Sequence, residues 1–403
     1  MTNGRTVTGK EMEEALVEPE LLVWARKSSG LTEEQAAGKL KISIEKLLEW
    51  EGGKKRPSIS QLRRISALYK RPIAVFYLSE TPKTFAPLKD FRRIPGPLET
   101  RNDSQINYEV RRAEYRREVA LDLYEDLDIP IPKFAYRIKL SQDPEDAGEV
   151  LRDAIGISVN EQAQWSDDYQ ALNAWKMGIE KLGILVFQAS RIQVEDMRAF
   201  SIGKFPLPAI ILNAKDLPRP RIFSVFHEMS HLMLHEPGIC DIEEEYHRAA
   251  DEQKVEVFCN HVAGAALMPK TSLLKDRLVD RHKGKAWDDN DLATLAKTYN
   301  TSREAVLRRL LILGRTTVDF YKERRKAFLN EYEAIRKDKK TGIVLPHVKA
   351  ISNCGLGFVR LVLNGYLQEK ITASDLSEFL DLRLKHLGKI QEESMRKAQK
   401  WGT

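Results

Sequence analysis

Cysteine is scarce: the three residues Cys240, Cys259 and Cys354 make no disulfide framework and no CxxC thiolate site. Also missing is any apolar run of the roughly 20 residues that a membrane-spanning helix needs. The N-terminal stretch MTNGRTVTGKEMEEALV has no apolar core of signal-peptide type. These absences exclude a disulfide-stapled secreted scaffold and predict a cytoplasmic protein with no membrane partner. No tandem repeat is visible. A dominant charge is missing too, because 65 Lys/Arg stand against 59 Asp/Glu, and a net charge of +6 does not by itself imply nucleic acid. What is present is ordinary globular material, 42% hydrophobic and 31% charged, in a chain of 403 residues that should divide into about two to four domains.

Charge is unevenly spread. From Arg26 to Arg71 there are 12 Lys/Arg and 5 Asp/Glu, most of that excess in or beside one small helical unit. Residues 1–20 read as a flexible N-terminus. In 21–78 the pattern is helical with short breaks. Thr32-Glu-Glu-Gln35 is a capping box opening a helix with Ala36, Ala37 and Leu40 on one face. Ser43 is placed to N-cap a second helix with Ile44, Leu47 and Leu48 inward, and Leu62, Ile65 and Leu68 mark a third. Residues 79–105 hold four prolines and read as a linker. A helical connector is expected over 106–150. Further on come two β-like runs, Ile184–Phe187 and Ala209–Asn213, then long helices from about Pro220 to His235 and from about Asp251 to Leu267.

The strongest chemical signal is Phe223-Ser-Val-Phe-His227-Glu228-Met-Ser-His231-Leu-Met-Leu-His235. Histidines at i and i+4 stack on one helix face, so both imidazoles reach one Zn²⁺. Glu228 then lies beside the pair, where it can accept a proton from the attacking water and pass it to the leaving amine. The plain alternative is a surface pair on an amphipathic helix. The apolar neighbours Phe223, Val225, Phe226, Leu232, Met233 and Leu234 argue against it, since an unpartnered buried imidazole is costly. A third ligand is required. His235 continues the same face, but a rigid helix does not bend three successive turns onto one ion, so a neighbouring, non-ligating place suits it better. Asp241, Glu243, Glu244, Glu245 and His247 read as a solvated polar loop. Glu256 begins the apolar part of its helix and is the stronger candidate, with a salt bridge or a favourable helix-start charge as its plain alternative. His261 competes from the next turn.

HEMSHLMLH, an acidic residue 25 positions after His231, and an Ala-rich helix ending in LMP together resemble the ImmA/IrrE family of zinc metallopeptidases. The family's second pattern, E-x-x-A-N-x-F-A-A-x-L-L-M-P, maps its glutamate to Glu256 and its asparagine to Asn260. Cys259 and Gly264 replace alanines, Val262 replaces the phenylalanine and Ala266 replaces a leucine. The resemblance covers roughly 165–270 and implies Glu256 as the third zinc ligand. It extends to the AIILN strand, whose Ile210, Ile211, Leu212 and Asn213 would then form an edge that a substrate strand can join.

The unit 21–78 resembles an XRE-type helix-turn-helix, through Leu31-Thr-Glu-Glu-Gln35-Ala36, the turn to Ser43, and Trp50-Glu51-Gly52 with Pro57-Ser58. That resemblance implies DNA contact, with Ser43, Glu45 and Lys46 at the start of the reading helix and Lys54, Lys55 and Arg56 on phosphates. That helix carries Glu45 and Glu49 and is poor in the Gln and Arg that base readout uses, and the alternative is a module for protein docking or dimerisation. Towards the C-terminus, Thr301-Ser-Arg-Glu304 reads as a capping box, 319–340 as a solvated charged helix, and 355–387 as an amphipathic helical tail.

The expected fold is α+β and predominantly helical: an N-terminal helix-turn-helix bundle, a zincin-like peptidase core with a small sheet over 151–270, and a helical C-terminal domain over 271–403. The resemblance implies a protein substrate, a helix-turn-helix transcriptional repressor cut in a regulatory, stress or mobile-element context. The competing reading is a DNA-binding or antitoxin-like regulator whose metal domain binds a partner without cutting it. Oligomeric state is left open, a dimer included.

Overall fold

The computed structural model describes residues 14–69, 71, 73–78, 80, 103–234, 249–338 and 344–401. Two compact units divide the chain, one built from residues up to 89 and 99–110, the other mainly from 111–403.

The first unit contains α1 (Pro19–Ser28), α2 (Glu33–Leu40), α3 (Ile44–Glu51) and α4 (Ile59–Tyr69). Thr32 and Gln35 close the anticipated capping box, each side chain bonded to the other's backbone N–H at 3.2 Å. A left-handed Lys41 (φ 56°) then turns the chain, and Ser43 Oγ accepts from Lys46 N to open α3. The core gathers Leu21, Leu22, Ala36, Leu40, Leu47, Trp50, Leu62, Ile65 and Tyr69. Arg26 is tied to both carboxylate oxygens of Glu51 at 2.8 Å, so this buried cation is fully paired. The expectation of a flexible stretch through residue 20 fails from Glu14 onward. Ala15 and Val17 are buried, and Ala15 N donates to Pro57 O at 2.8 Å, because their alternation suits a bridge-like extended segment. The expected linker lies outside the described residues, apart from Glu80 and the first turn of the next helix.

That helix, α5 (Asp103–Asp126), begins in the first unit and continues into the second. The second unit then runs through α6 (Pro144–Ile155), α7 (Val159–Ala163) and α8 (Asp168–Glu180) to a sheet of β1 (Leu185–Ala189), β2 (Ala199–Ile202) and β3 (Ala209–Asn213). The strand order is β1-β3-β2. β3 is parallel to β1 (Phe187 opposite Ile211) and antiparallel to β2 (Phe200 opposite Ile211). Every residue of β3 is buried, as its unbroken apolar run requires for a central strand. Helices α9 (Pro218–Leu234) and α10 (Ala249–Leu267) follow. α9 is buried on nearly all sides, with Trp175 packed edge-on against Phe226 at 4.8 Å. Gly148 lets α6 approach α10 closely, since a Cβ there would lie 2.5 Å from that of Ala265.

Beyond these lie α11 (Lys270–Lys275), α12 (Arg277–Arg281), α13 (Asp289–Thr298), α14 (Arg303–Ile312) and α15 (Val318–Asp338). α14 is capped by Ser302, one residue later than expected: Ser302 Oγ accepts from Ala305 N, while Thr301 is buried. α15 is not merely a solvated face. Tyr321 and Phe328 are buried, and Tyr332 donates to the buried Asp216 at 2.5 Å, while Arg303–Glu331 and Arg336–Glu195 ion pairs pin its charged side.

The chain ends in α16 (Pro346–Cys354), α17 (Leu356–Leu367), α18 (Ala373–Leu380) and α19 (Leu387–Trp401). They join the core through polar contacts as well as the Phe187–Phe358 edge contact. Lys176 Nζ donates to Ser352 O at 2.9 Å, and Glu180 accepts from Gly357 N at the start of α17. The architecture is predominantly helical with one small sheet, consistent with α+β. No helix among the described residues is long and apolar enough to cross a membrane.

Candidate metal centre

Helix α9 carries His227 and His231 one turn apart, with rings 4.7 Å between centroids. Both are at most 3% exposed, and Glu228 is 2% exposed, so the site is set inside the domain rather than on a solvated helix face. The apolar residues around them explain this, for Ile222, Val225, Phe226, Met229 and Met233 are all at or below 1% exposure and belong to the main core. The two Nε2 atoms point at one another, 3.1 Å apart.

From α10, Glu256 meets both. Its Oε1 lies 3.1 Å from His231 Nε2 and its Oε2 3.4 Å from His227 Nε2. Asn260, one turn on, donates its side-chain amide to Glu256 O at 2.7 Å, fixing the helix turn that aims the carboxylate. The Glu256 side chain is 41% exposed, which makes it the solvent-facing side of the cluster.

The electrostatics are those of a shared site. Burial pushes the Glu256 carboxyl up, yet hydrogen bonds and charge from both imidazoles hold it well below the usual carboxylate range. Burial disfavours the charged form of His231, and hydrogen bonds with Cys259 and Glu256 outweigh it, raising that imidazole well above its ordinary value. Cys259 is a fully buried thiol raised by the same burial, and neither Cys259 nor Cys354 is in a disulfide.

His227, His231 and Glu256 form a group whose donor atoms all lie within 4.8 Å of one another. Metal–ligand bonds of about 2.0–2.1 Å at tetrahedral angles put neighbouring donors about 3.3–3.4 Å apart. The observed 3.1, 3.1 and 3.4 Å are close to the edges of such a tetrahedron's face. Two imidazoles and one carboxylate are a borderline donor set, unlike the all-oxygen shells of calcium and magnesium. The residues therefore fit a tetrahedral transition-metal ion.

The match to known proteins falls on this region. Residues 179–311 match the M78 peptidase family, described as the IrrE N-terminal-like domain. The match supports a place in the ImmA/IrrE family and, for these residues, a metallopeptidase. No curated protein matches the chain.

Other residues singled out in the sequence fall elsewhere. His261 is held by Glu145 at 2.7 Å, outside the three-residue group. His235, Cys240, Asp241, Glu243, Glu244, Glu245 and His247 lie outside the described residues. Ile210–Asn213 cannot supply a free edge. They sit in the central strand β3, whose two hydrogen-bonding sides are taken by β1 and β2. Sequence reading missed β2 because four residues, Ala199-Phe-Ser-Ile202, are too short to display a period. With β2 it missed Ser201, whose hydroxyl donates to Glu228 Oε2 at 2.9 Å.

In the first unit, Ser43 spends its hydroxyl capping α3. Lys46 lies over the Trp50 ring at 5.6 Å, and Lys55 pairs with Glu49 at 2.9 Å. Glu45, Lys54 and Arg56 are exposed.

Proposed function

We infer that the chain is a zinc-dependent endopeptidase that cuts a specific protein, a helix-turn-helix transcriptional repressor being the substrate class the family resemblance implies. The observation that carries this reading is the convergence of His227, His231 and Glu256 within tetrahedral-edge distances, with Glu228 alongside. His227, His231 and Glu256 would hold the metal. Their summed charge of −1 leaves a bound dication net positive, so it supplies Lewis acidity for the scissile carbonyl and for water. Glu228 acts as base towards the attacking water and then as acid towards the departing amine. The buried walls exclude bulk water and strengthen each electrostatic contact.

The test is metal content together with cleavage. The purified protein should hold about one zinc per chain, and His227→Ala should lose it. Glu228→Gln should retain zinc and lose cleavage by at least about 100-fold, the lower range for a general base. Absence of zinc from both proteins after reconstitution would sink the reading. Dissolved casein should be cut poorly; digestion at the rate of a digestive protease would refute site-selectivity.

A second reading concerns the first unit. The capped α2, the left-handed Lys41 and the capped α3 are the local geometry that a helix-turn-helix uses, which supports an XRE-type module contacting DNA through Lys54, Lys55 and Arg56. Binding to duplex DNA that weakens steeply between low and moderate salt would support it, and salt-insensitive or absent binding would count against it.

A further inference from the structure

Glu228 is a carboxylate inside the domain, and its role depends on which way its oxygens point. β2 is otherwise Ala, Phe and Ile, all buried; Ser201 is the strand's only partly exposed residue and its only polar one. Alternation along the strand sends Ser201 away from the Phe200 and Ile202 side, and its Oγ reaches Glu228 Oε2 at 2.9 Å. The strand itself is held firmly. It is paired to β3 over its whole length, Ser201 opposite Ile210. The loop leaving it is clamped by Arg117 of α5, which donates to Pro206 O at 2.7 Å and Leu207 O at 3.0 Å. Lys204 is additionally paired to Glu114 at 2.6 Å.

From this geometry we propose that Ser201 is a positioning residue for the base. Its hydroxyl fixes one oxygen of Glu228 from a rigid strand, so that the carboxylate is oriented before water and substrate arrive. A neutral donor suits this task. A cation at the same distance would hold the carboxylate too, but would weaken it as a proton acceptor. Serine orients without neutralising. A misplacement of about 1 Å in a reacting group can cost about 100-fold in rate, so a single well-placed hydrogen bond is worth having at this position.

The inference rests on the peptidase reading, and the test separates the two. Ser201→Ala, Ser201→Val and Ser201→Thr are compared with wild type and Glu228→Gln in the full-length, zinc-loaded protein. Valine matches threonine in shape and lacks only the hydroxyl, so packing is controlled. Two readouts are used: cleavage of an internally quenched random peptide library, and binding of acetohydroxamate, whose acidic proton a base beside the metal accepts. The expectation is that Ala and Val lose about 10- to 100-fold in kcat with KM little changed. They should also bind acetohydroxamate several-fold more weakly. Thr should restore both. Zinc stoichiometry should be the same in Thr and Val. Wild-type behaviour of Val in both readouts overturns the proposal, as does a loss in Thr equal to that in Val. If Glu228→Gln itself matches wild type in both readouts, the peptidase reading fails and takes the proposal with it.

Discussion

At the scale of single residues, the site is a problem in burying polar groups. Two imidazoles and two carboxylates are gathered in or beside a core of aromatic and aliphatic side chains, where each unpaired group would cost a few kcal/mol. Glu256 is the group that joins the others, because its carboxylate reaches both histidines. Glu256→Gln keeps shape but removes that charge. Zinc affinity, read by competition with a chromophoric chelator, is expected to fall by more than the roughly 10–100-fold that loss of an outer-shell partner costs. An unchanged affinity would show that Glu256 is a salt-bridge partner and no ligand. The motif's two histidines were legible from sequence alone, since i and i+4 spacing on a helix is fixed by local geometry, and Glu228 between them came with the same helix. Ser201 was not legible, because its significance depends on a strand that pairs across the sheet.

At the scale of elements, α9 and α10 must be held at a fixed separation for the ligands to meet. α6 is the wedge that seats α10. Gly148 faces Ala265 so closely that a larger side chain has no room. Gly148→Val should destabilise the protein by about 1–3 kcal/mol through overpacking. Because α10 carries Glu256, it should also weaken zinc binding. Gly38 of α2 is the control: a Cβ there meets nothing within 4 Å, and Gly38→Ala should be neutral or stabilising by up to about 1 kcal/mol through helix propensity. Equal effects of the two substitutions in urea unfolding would contradict this account of α6. Long helices such as α9 and α10 were readable from their apolar runs and the stop at Pro269. β2 and the cap at Ser302 were decided by packing, which moved the helix start one residue past Thr301.

At the scale of the whole molecule, ionic ties fasten distant segments to the core. Glu145 of α6 takes both guanidinium nitrogens of Arg309 on α14 and also pairs with His261 of α10. Burial pushes the Glu145 carboxyl up, but Arg309 and His261 overcome this and hold it at about 2. Its folded value therefore lies below its unfolded one, near the ordinary 4.5. The stability it contributes is fully present above that value and is lost as pH falls towards 2. Wild type should exceed Glu145→Gln in urea unfolding at pH 6, and the gap should narrow at pH 3. A gap that widens on acidification would show the opposite sign and refute the assignment. The C-terminal helices are fastened by Lys176 and Glu180 of α8, where burial pushes the lysine down and the carboxyl up while each opposes the other's shift. Gly355, at φ 77°, is required there because a side chain would strike Glu180.

The sequence by itself determined the helical character of the chain, the two capped helices around Lys41, and the pairing of His227 with His231 beside Glu228. All of these follow from spacing within one segment, where the backbone alone fixes which side chains are neighbours. Tertiary structure decided the rest. It brought Glu256 from a second helix to the histidines, and it turned the AIILN strand from an expected edge into the middle of the sheet. It also set Ser201 against Glu228. Each of these joins residues tens of positions apart, and such meetings depend on how helices and strands pack, which no local period records.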